Sequence, residues 1–567
     1  MASKRIVVIG GSAAGPKTAC KAKRTDPNAE VTLVQRSPDL SMASCAFPYY
    51  IRDGFDRRYL VGSPGGAIRD AAFFRTAKDV RAWVLTEAIA IDRVGRRVEI
   101  QRLEGGEKAW LEYDKLVLAT GAVPFLPPVA GLDLAGVHTL WSLQDTDRIK
   151  QRVEQDPPQR AVVVGGGLVG LEMAEALKHL GAAVTVIEKA PHILPFLDPE
   201  MASLVESHLR SKGVPVLTRS GLAEFRGQDG RLASVRLDSG QELECDFALL
   251  AIGVRPNAQL ARAAGLQIGS HGGIRVDGYL QTSDPDIYAA GDCIEVTHRV
   301  TGEYRHIPLG DLANLQGRVA GQNVVLGNTV RYPGVLGTGA CKIFDFNVGS
   351  TGVWEQALVR SGRLDCITAI CAQSDSPGYM GGQPLTVKLV AERASGRLLG
   401  MQAVGLGDVT KRVAVAATAL HGNLNVEDLT NLDLPYAPPY STAIDPIITA
   451  AHVLDNKLRG RMHGTNCLEV QERLDRGERL FLLDVRNPEE YEATRLECGE
   501  KLIPLARLRS SNAELPSDRS AEIIVYCRSS LRGYEAAVLL KSMNYTNVKV
   551  MEGGLLAWAG PLVTGHG

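Results

Sequence analysis

No stretch of the 567 residues stays apolar for the roughly 18 positions that a membrane-spanning helix needs, so no span is expected. An excess of one charge is missing too: 63 Lys and Arg face 64 Asp and Glu, for a net charge of −1. No Lys/Arg block exceeds a few residues, which excludes a nucleic-acid binder that works through bulk positive charge. Low-complexity segments are absent, and with them a disordered-tail protein. The ten cysteines show neither a disulfide framework nor zinc spacing, so no metal site is expected. Such usage fits a reducing cytoplasm, where a thiol is catalytic or buried rather than bridged. The opening MASKRIVVIGG runs straight into a strand pattern and leaves no room for a signal peptide, so a cytoplasmic protein is expected. What remains is ordinary globular composition, with 45% hydrophobic and 22% charged residues. At about 150 residues per domain the length predicts three or four domains.

Two segments carry one signature. Arg5–Gly15 (RIVVIGGSAAG) precedes a helical stretch and the strand VTLVQ; Arg160–Gly170 (RAVVVGGGLVG) precedes LEMAEALKHLG and VTVIE. Each reads strand, Gly-rich turn, helix, strand, the first half of a doubly wound dinucleotide fold. Two units predict two dinucleotides. The apolar run ending in ATG at Ala119–Gly121, its analogue FALLAIG, and the Gly291–Asp292 turn after a further strand place the second unit inside the first. The expected architecture is α/β: a discontinuous first dinucleotide domain over 1–120 and 246–328 and a second over 121–245. An α+β domain over 329–458, a polar linker over 459–466, and a last α/β domain over 467–567 follow.

The second turn is complete, with Gly165, Gly167 and Gly170, and Glu188 closes the next strand. A carboxylate there accepts from a ribose 2′-OH and repels a 2′-phosphate, so NADH is favoured, while neighbouring Lys189 keeps NADPH open. The first turn has Gly10, Gly11, Ala14 and Gly15, but Ser12 replaces the middle glycine and Gln35 the strand-end acid. Together with the ATG and GD turns it resembles the FAD domain of the two-dinucleotide flavoprotein disulfide reductases. That resemblance implies FAD held by Gly10, Gly11, Ala14, Gly15, Gln35, Thr120, Gly121 and Asp292, with Asp292 on the ribityl chain.

Cys45 in SMASCAFPYY stands where such enzymes carry a redox pair, yet positions 40 to 49 hold one cysteine. A lone thiolate stores its oxidised state as a mixed disulfide, a persulfide or a sulfenic acid. The stretch resembles the active-site segment of coenzyme A-disulfide reductases and NADH-dependent persulfide reductases, whose usual form is close to SFANCGLPYY. This resemblance covers residues 1 to about 458. It implies a homodimer in which tyrosines from the partner reach the sulfur; Tyr436 and Tyr379 match, with Tyr440 as a further candidate. It also implies a coenzyme A pocket at Lys21, Arg24, Ser41 and Ser44. The sequence departs from the family at Ser44 and Ile444, where Asn and Lys are usual. Ala13 replaces the His of peroxide- and oxygen-reducing cousins, which argues for a sulfur substrate.

The last hundred residues resemble a single rhodanese domain through LLDVRNPEEY, VYCRSSLRG and EGGLLAW. Cys527 and Arg532 enclose a four-residue loop between strand and helix, whose N–H groups and helix dipole stabilise a thiolate and then a persulfide. Phosphatases use one more residue there. ATRLECGEKLIPL departs from the family's HIxGAxNIP pattern. Cys366 and Cys371, five apart on a strand, would face opposite sides and stay unbridged. Cys20, Cys245, Cys293, Cys341 and Cys498 read as packing or structural residues.

These readings converge on an NADH-dependent reductase of persulfides and polysulfides, coenzyme A persulfide among them, with Cys45 as redox thiol and Cys527 as sulfur carrier. A coenzyme A-disulfide reductase of the thiol pool, and a redox-sensing flavoprotein whose rhodanese module docks a partner, are the alternatives.

Overall fold

The run Ile6-Val7-Val8-Ile9 is apolar throughout, as a parallel strand covered on both faces requires, and all four side chains are buried. The structure, a computed structural model, describes residues 3–362 and 365–565, with Asn512 as backbone only. Strand Arg5–Ile9 is central in a five-stranded parallel sheet ordered Ile287–Ala289, Lys115–Leu118, Arg5–Ile9, Glu30–Val34, Arg81–Trp83. Helices Ala14–Thr25 and Gly310–Leu326 pack on each other through small residues. A Cβ on Gly317 or Gly321 would stand 2.5 Å from the carbonyl oxygen of Ala14 or Thr18, so bulkier residues would push the helices apart.

The chain divides into two units, residues 1–189 with 220–337, and residues 190–219 with 338–567. The first unit also holds a second parallel arrangement, in which Arg160–Val164 lies between Ala183–Ile187 and Phe247–Leu250, and the latter pairs with Val137–Thr139. Here the structure corrects the expected boundary at 246. Phe247–Leu250 belongs with the second Gly-turn strand, and the chain returns to the first sheet only after Val254–Pro256 pairs with Ala122–Pro124.

Segment 190–219 groups with residues 338–567 in the second unit. Its anchor is electrostatic. Lys388, wholly buried, sits 2.8 Å from Asp198 and 2.6 Å from Glu355 and also pairs with Glu200. Asp198 additionally accepts from Gln402 Nε2 at 2.6 Å and from the Gln356 N–H at 2.9 Å. Removing the ammonium would leave buried carboxylates uncompensated, at a cost of about 3–5 kcal/mol.

The second unit contains an antiparallel sheet ordered Gly339–Ile343, Phe346–Gly352, Leu398–Gly405, Pro384–Glu392, Cys366–Ser374, accompanied by helices Val409–His421 and Pro446–Leu458. Cys366 and Cys371 are both free. The C-terminal module has a parallel sheet ordered Gly464–Thr465, Val548–Met551, Ile523–Tyr526, Phe481–Asp484, Lys501–Leu502. Its first strand lies inside the expected 459–466 linker, which is therefore shorter than its composition suggests. Ile370 of the antiparallel sheet is buried in one core of this module, beside Tyr526, Leu555 and Trp558. Among the described residues no helix is long and apolar enough to cross a membrane.

Candidate functional site

Both Gly-rich turns are built alike. Gly10 has φ +108° and Gly165 φ +112°, and a Cβ on either would collide with the carbonyl oxygen of Ala119 or Ala251 on the neighbouring strand end. Side chains are thereby excluded at both positions, which brings helices Ala14–Thr25 and Leu168–His179 up with their N-termini open to a pyrophosphate. Gly15 and Gly170 lie against the carbonyls of Gly10 and Gly165, and a Cβ on Gly167 would meet nothing within 4 Å.

The strand-end residue holds each turn. Glu188 Oε2 accepts the Gly166 N–H at 2.7 Å, and Gln35 Oε1 accepts the Gly11 N–H at 2.8 Å. Gln35 therefore keeps the missing acid's structural bond without its charge, and its own amide donates to Ser37 and to the Asp39 carbonyl.

Thr120 Oγ1 donates to the Asn257 carbonyl at 2.6 Å, and Gly121 accepts the Asn257 N–H at 2.8 Å, tying the ATG turn to the crossover. Gln316 Oε1 accepts the Gly291 N–H at 2.7 Å, and His306 Nε2 donates to the Asp292 carbonyl at 2.8 Å. Burial alone pushes the Asp292 carboxyl up to about 6. A half-buried carboxyl there, next to Gly291 whose added Cβ would stand 3.0 Å from the Ala14 side chain, fits the hydroxyls of a ribityl chain. The donor set thus suits FAD at the first turn and a nicotinamide dinucleotide at the second.

Cys45 lies in the short 3-10 turn Ser44–Ala46, exposed, just before helix Phe47–Asp53, whose Phe47, Tyr50 and Ile51 are buried. That helix rests on the nucleotide helix Leu168–His179: Tyr49 Oη donates to Glu172 Oε1 at 3.3 Å, and Arg52 Nη1 bonds Glu175 Oε1 at 2.6 Å. A Cβ on Gly310, the first residue of helix Gly310–Leu326, would stand 3.6 Å from Cys45 Sγ. Partial desolvation by the protein around it pushes the Cys45 thiol up, and Glu172, Asp292 and Asp311 add to the rise. Burial lifts Glu172 itself to about 7.

Glu172, Asp311 and Gly310 were not singled out from the sequence. Glu172 sits two residues past Gly170, a spacing that could have flagged it; nothing local marked the other two.

The charge on Glu172 gives a measurable effect. Below about 7 the group is neutral; above that it is an anion that disfavours the neighbouring thiolate. Glu172→Gln removes this anion, so the pH profile for Cys45 alkylation should move down by roughly half a unit to one unit. Iodoacetamide labelling at pH 8, followed at the Cys45 peptide, should run about threefold faster; an unshifted profile would separate Glu172 from the thiol.

Of the other expected substrate positions, Ser41 takes φ +54°, and its Oγ accepts from Arg69 Nη1 at 3.0 Å. Arg24, Lys78, Lys17 and Arg69 all act on Cys20, which marks a basic cluster beside helix Ala14–Thr25. Lys21 packs near Gly321 of the second helix, and Ser44 is exposed. Arg69 and Lys78 escaped the sequence reading because both lie more than 40 residues from Arg24 in the chain. In the second unit Tyr379, Tyr436, Tyr440 and Ile444 are all exposed.

Cys527 is buried between strand Ile523–Tyr526 and helix Leu531–Ser542. Arg532, five residues on, reaches Cys527 and forms a two-point contact with Glu490 at 2.6 and 2.7 Å. The guanidinium holds the Glu490 carboxyl down to about 2. Glu490 comes from the LLDVRNPEEY segment, so two of the quoted sequence segments meet at one site. Ser530 Oγ accepts the Gly553 N–H at 2.7 Å, and the Cys527 carbonyl accepts the Leu555 N–H at 3.1 Å. The third segment therefore backs the loop. Cys498, read as a packing residue, is exposed instead, because its turn is organised by Glu500, which accepts backbone N–H groups from 496 to 498.

Comparison with known proteins agrees with these parts. Residues 4–315 match the pyridine nucleotide-disulphide oxidoreductase family, 338–447 the dimerisation domain of that family, and 467–561 the rhodanese-like domain. A solved structure described as a NAD-dependent persulfide reductase from A. fulgidus is 41% identical, with a TM-score of 0.92, covering 98% of this chain and 100% of its own. An NAD(P)H sulfur oxidoreductase (CoA-dependent) of Pyrococcus abyssi is 36% identical over 453 residues, 80% of this chain and 98% of its own length. A Methanocaldococcus jannaschii protein named NADH oxidase is 34% identical over 469 residues, 81% of this chain and 100% of its own. The chain belongs to the pyridine nucleotide-disulphide oxidoreductases, with the dimerisation domain of that family and a rhodanese-like domain after it.

Proposed function

We propose that this enzyme is an NADH-dependent reductase of persulfides and polysulfides, with coenzyme A persulfide as a substrate. The observation that carries the reading is Cys45. It is a single thiol beside two dinucleotide turns, in a chain that also bears a Cys527 loop suited to a sulfane sulfur. Glu188 accepts from the 2′-OH of NADH and keeps a 2′-phosphate away. FAD bound at the first turn supplies the two-electron path between the nicotinamide and the cysteine sulfur. Gly10, Gly11, Ala14 and Gly15 receive its pyrophosphate, Asp292 takes the ribityl hydroxyls, and Gln35, Thr120 and Gly121 shape the turn around it.

The Cys45 thiolate attacks the outer sulfur of R–S–SH. The S–S bond breaks, and its electron pair leaves on RS⁻, which is protonated to RSH. Two electrons and one proton then split Cys45–S–SH into the Cys45 thiolate and hydrogen sulfide. The net reaction consumes one NADH and one proton per persulfide. In a homodimer built through the dimerisation domain, the partner's Tyr436 and the partner's Tyr379 donate hydrogen bonds to the departing sulfur. Arg24, Lys21, Arg69, Lys17 and Lys78 suit the phosphates of coenzyme A, while Ser41 and Ser44 line the approach to Cys45. Ala13 caps the first helix without a titratable group, so a peroxide finds no base there.

Anaerobic NADH oxidation with coenzyme A persulfide, with sulfide followed in parallel, tests the reading. Fast turnover with about one sulfide per NADH is expected, from the net reaction of persulfide cleavage. Negligible turnover alongside intact ferricyanide reduction would overturn it, as would oxygen or coenzyme A disulfide being the faster acceptor.

A further inference from the structure

The strand Cys366–Ser374 forms one edge of the dimerisation sheet, and edge strands carry unpaired N–H and C=O groups. At Ile370 the outward N–H is taken by the rhodanese-like domain: Glu552 Oε2 accepts it at 2.8 Å. The other oxygen of Glu552 pairs with Lys457, from helix Pro446–Leu458 of the dimerisation domain. Glu552 is almost fully buried, so both partners are needed to offset its desolvation.

The next residues lead straight to the reactive loop. The Gly553 N–H donates to Ser530 Oγ at 2.7 Å, the Leu555 N–H to the Cys527 carbonyl at 3.1 Å, and the Leu556 N–H to the Arg528 carbonyl at 3.0 Å. Ile370 packs in the same core as Leu555 and Tyr526, the residue before Cys527. A Cβ on Gly553 would stand 3.3 Å from Ile370 Cγ2, so this segment is fitted closely to the foreign strand. One short peptide thus touches the dimerisation domain with its glutamate and the Cys527 loop with its following N–H groups.

We propose that Glu552 is a positioning residue for the Cys527 loop, making sulfur transfer there conditional on the seating of the rhodanese-like domain against the edge of the dimerisation sheet. The inference rests on Cys527 being the sulfur-carrying thiol, which its own replacement by serine tests separately. Loop N–H groups stabilise an anionic sulfur only when they converge, and a misplacement near 1 Å costs orders of magnitude. Lys457→Met tests the idea from outside the rhodanese-like domain, because it removes the ammonium and leaves Glu552 half-paired.

In the full-length holoenzyme, sulfur transfer from thiosulfate to cyanide should lose about tenfold in kcat, with KM for thiosulfate little changed. Glu552→Gln, which can still accept from Ile370, should retain more activity than Glu552→Ala. Hydrogen exchange in the Lys457→Met protein should rise at Gly553 and Leu555 while strand Phe481–Asp484 stays protected. Wild-type transfer in both Lys457→Met and Glu552→Ala would overturn the proposal. So would exchange rising across the whole domain, which would make Glu552 a plain structural staple.

Discussion

Cys45→Ser should abolish NADH-dependent sulfide release from persulfides, by roughly 10³-fold or more, while NADH still drives ferricyanide reduction. A serine hydroxyl occupies nearly the same space, so the change is chemical rather than structural. The residue is exposed, in a three-residue turn, and packs into no core. What is lost is a thiol whose thiolate is the attacking nucleophile and can hold a second sulfur. Asp292 and the glycines of the first turn are untouched, so flavin content should match the wild type. The measurement is anaerobic sulfide release beside the ferricyanide rate in the same preparation. Sulfide release persisting above about a tenth of the wild-type rate would move the chemistry to another sulfur, since loss of a nucleophile leaves far less than that.

Cys527→Ser should have the complementary effect. Transfer from thiosulfate to cyanide falls by about 10³-fold, and reduction of a small persulfide stays within about twofold of wild type. Cys527 is buried in the loop that Arg532 and Glu490 close, and serine there keeps those contacts but cannot form a persulfide. Loss of both activities to the same degree would mean that every sulfur reaching Cys45 first passes through Cys527, and the division of labour between the thiols would fall.

Much of this was legible because it rests on local constraints. Gly10 and Gly165 stand where a Cβ would collide with a neighbouring strand end, and such positions leave glycine in the sequence as a visible trace. Phe247–Leu250 misled for the opposite reason: a strand covered on both faces reads as continuous apolar residues whichever sheet it joins. The ion cluster around Lys388 stayed hidden because Asp198 and Lys388 lie 190 residues apart, and neither shows in sequence that it has a buried partner. Arg69 comes to its site on the loop before helix Ala71–Lys78, and Glu172 on helix Leu168–His179, placements that no spacing rule reaches. Gln35 shows a finer gap. Its loss of charge was evident, whereas the bond to Gly11 that it preserves needed coordinates.

The burial of Ile370 within the C-terminal core bears on how truncated forms behave. Cutting the chain after Leu458 removes more than a tethered appendage. It strips the cover from Ile370, leaves its N–H without Glu552, and frees Lys457 from its counter-charge. A shortened protein would present a bare strand edge and a new apolar patch, the combination that favours self-association. Poor yield or reduced turnover of such a fragment would therefore report on the damaged edge rather than on any traffic of sulfur between the two cysteines. Point changes at Cys527 leave that edge covered, and they are the cleaner route to asking what the module does.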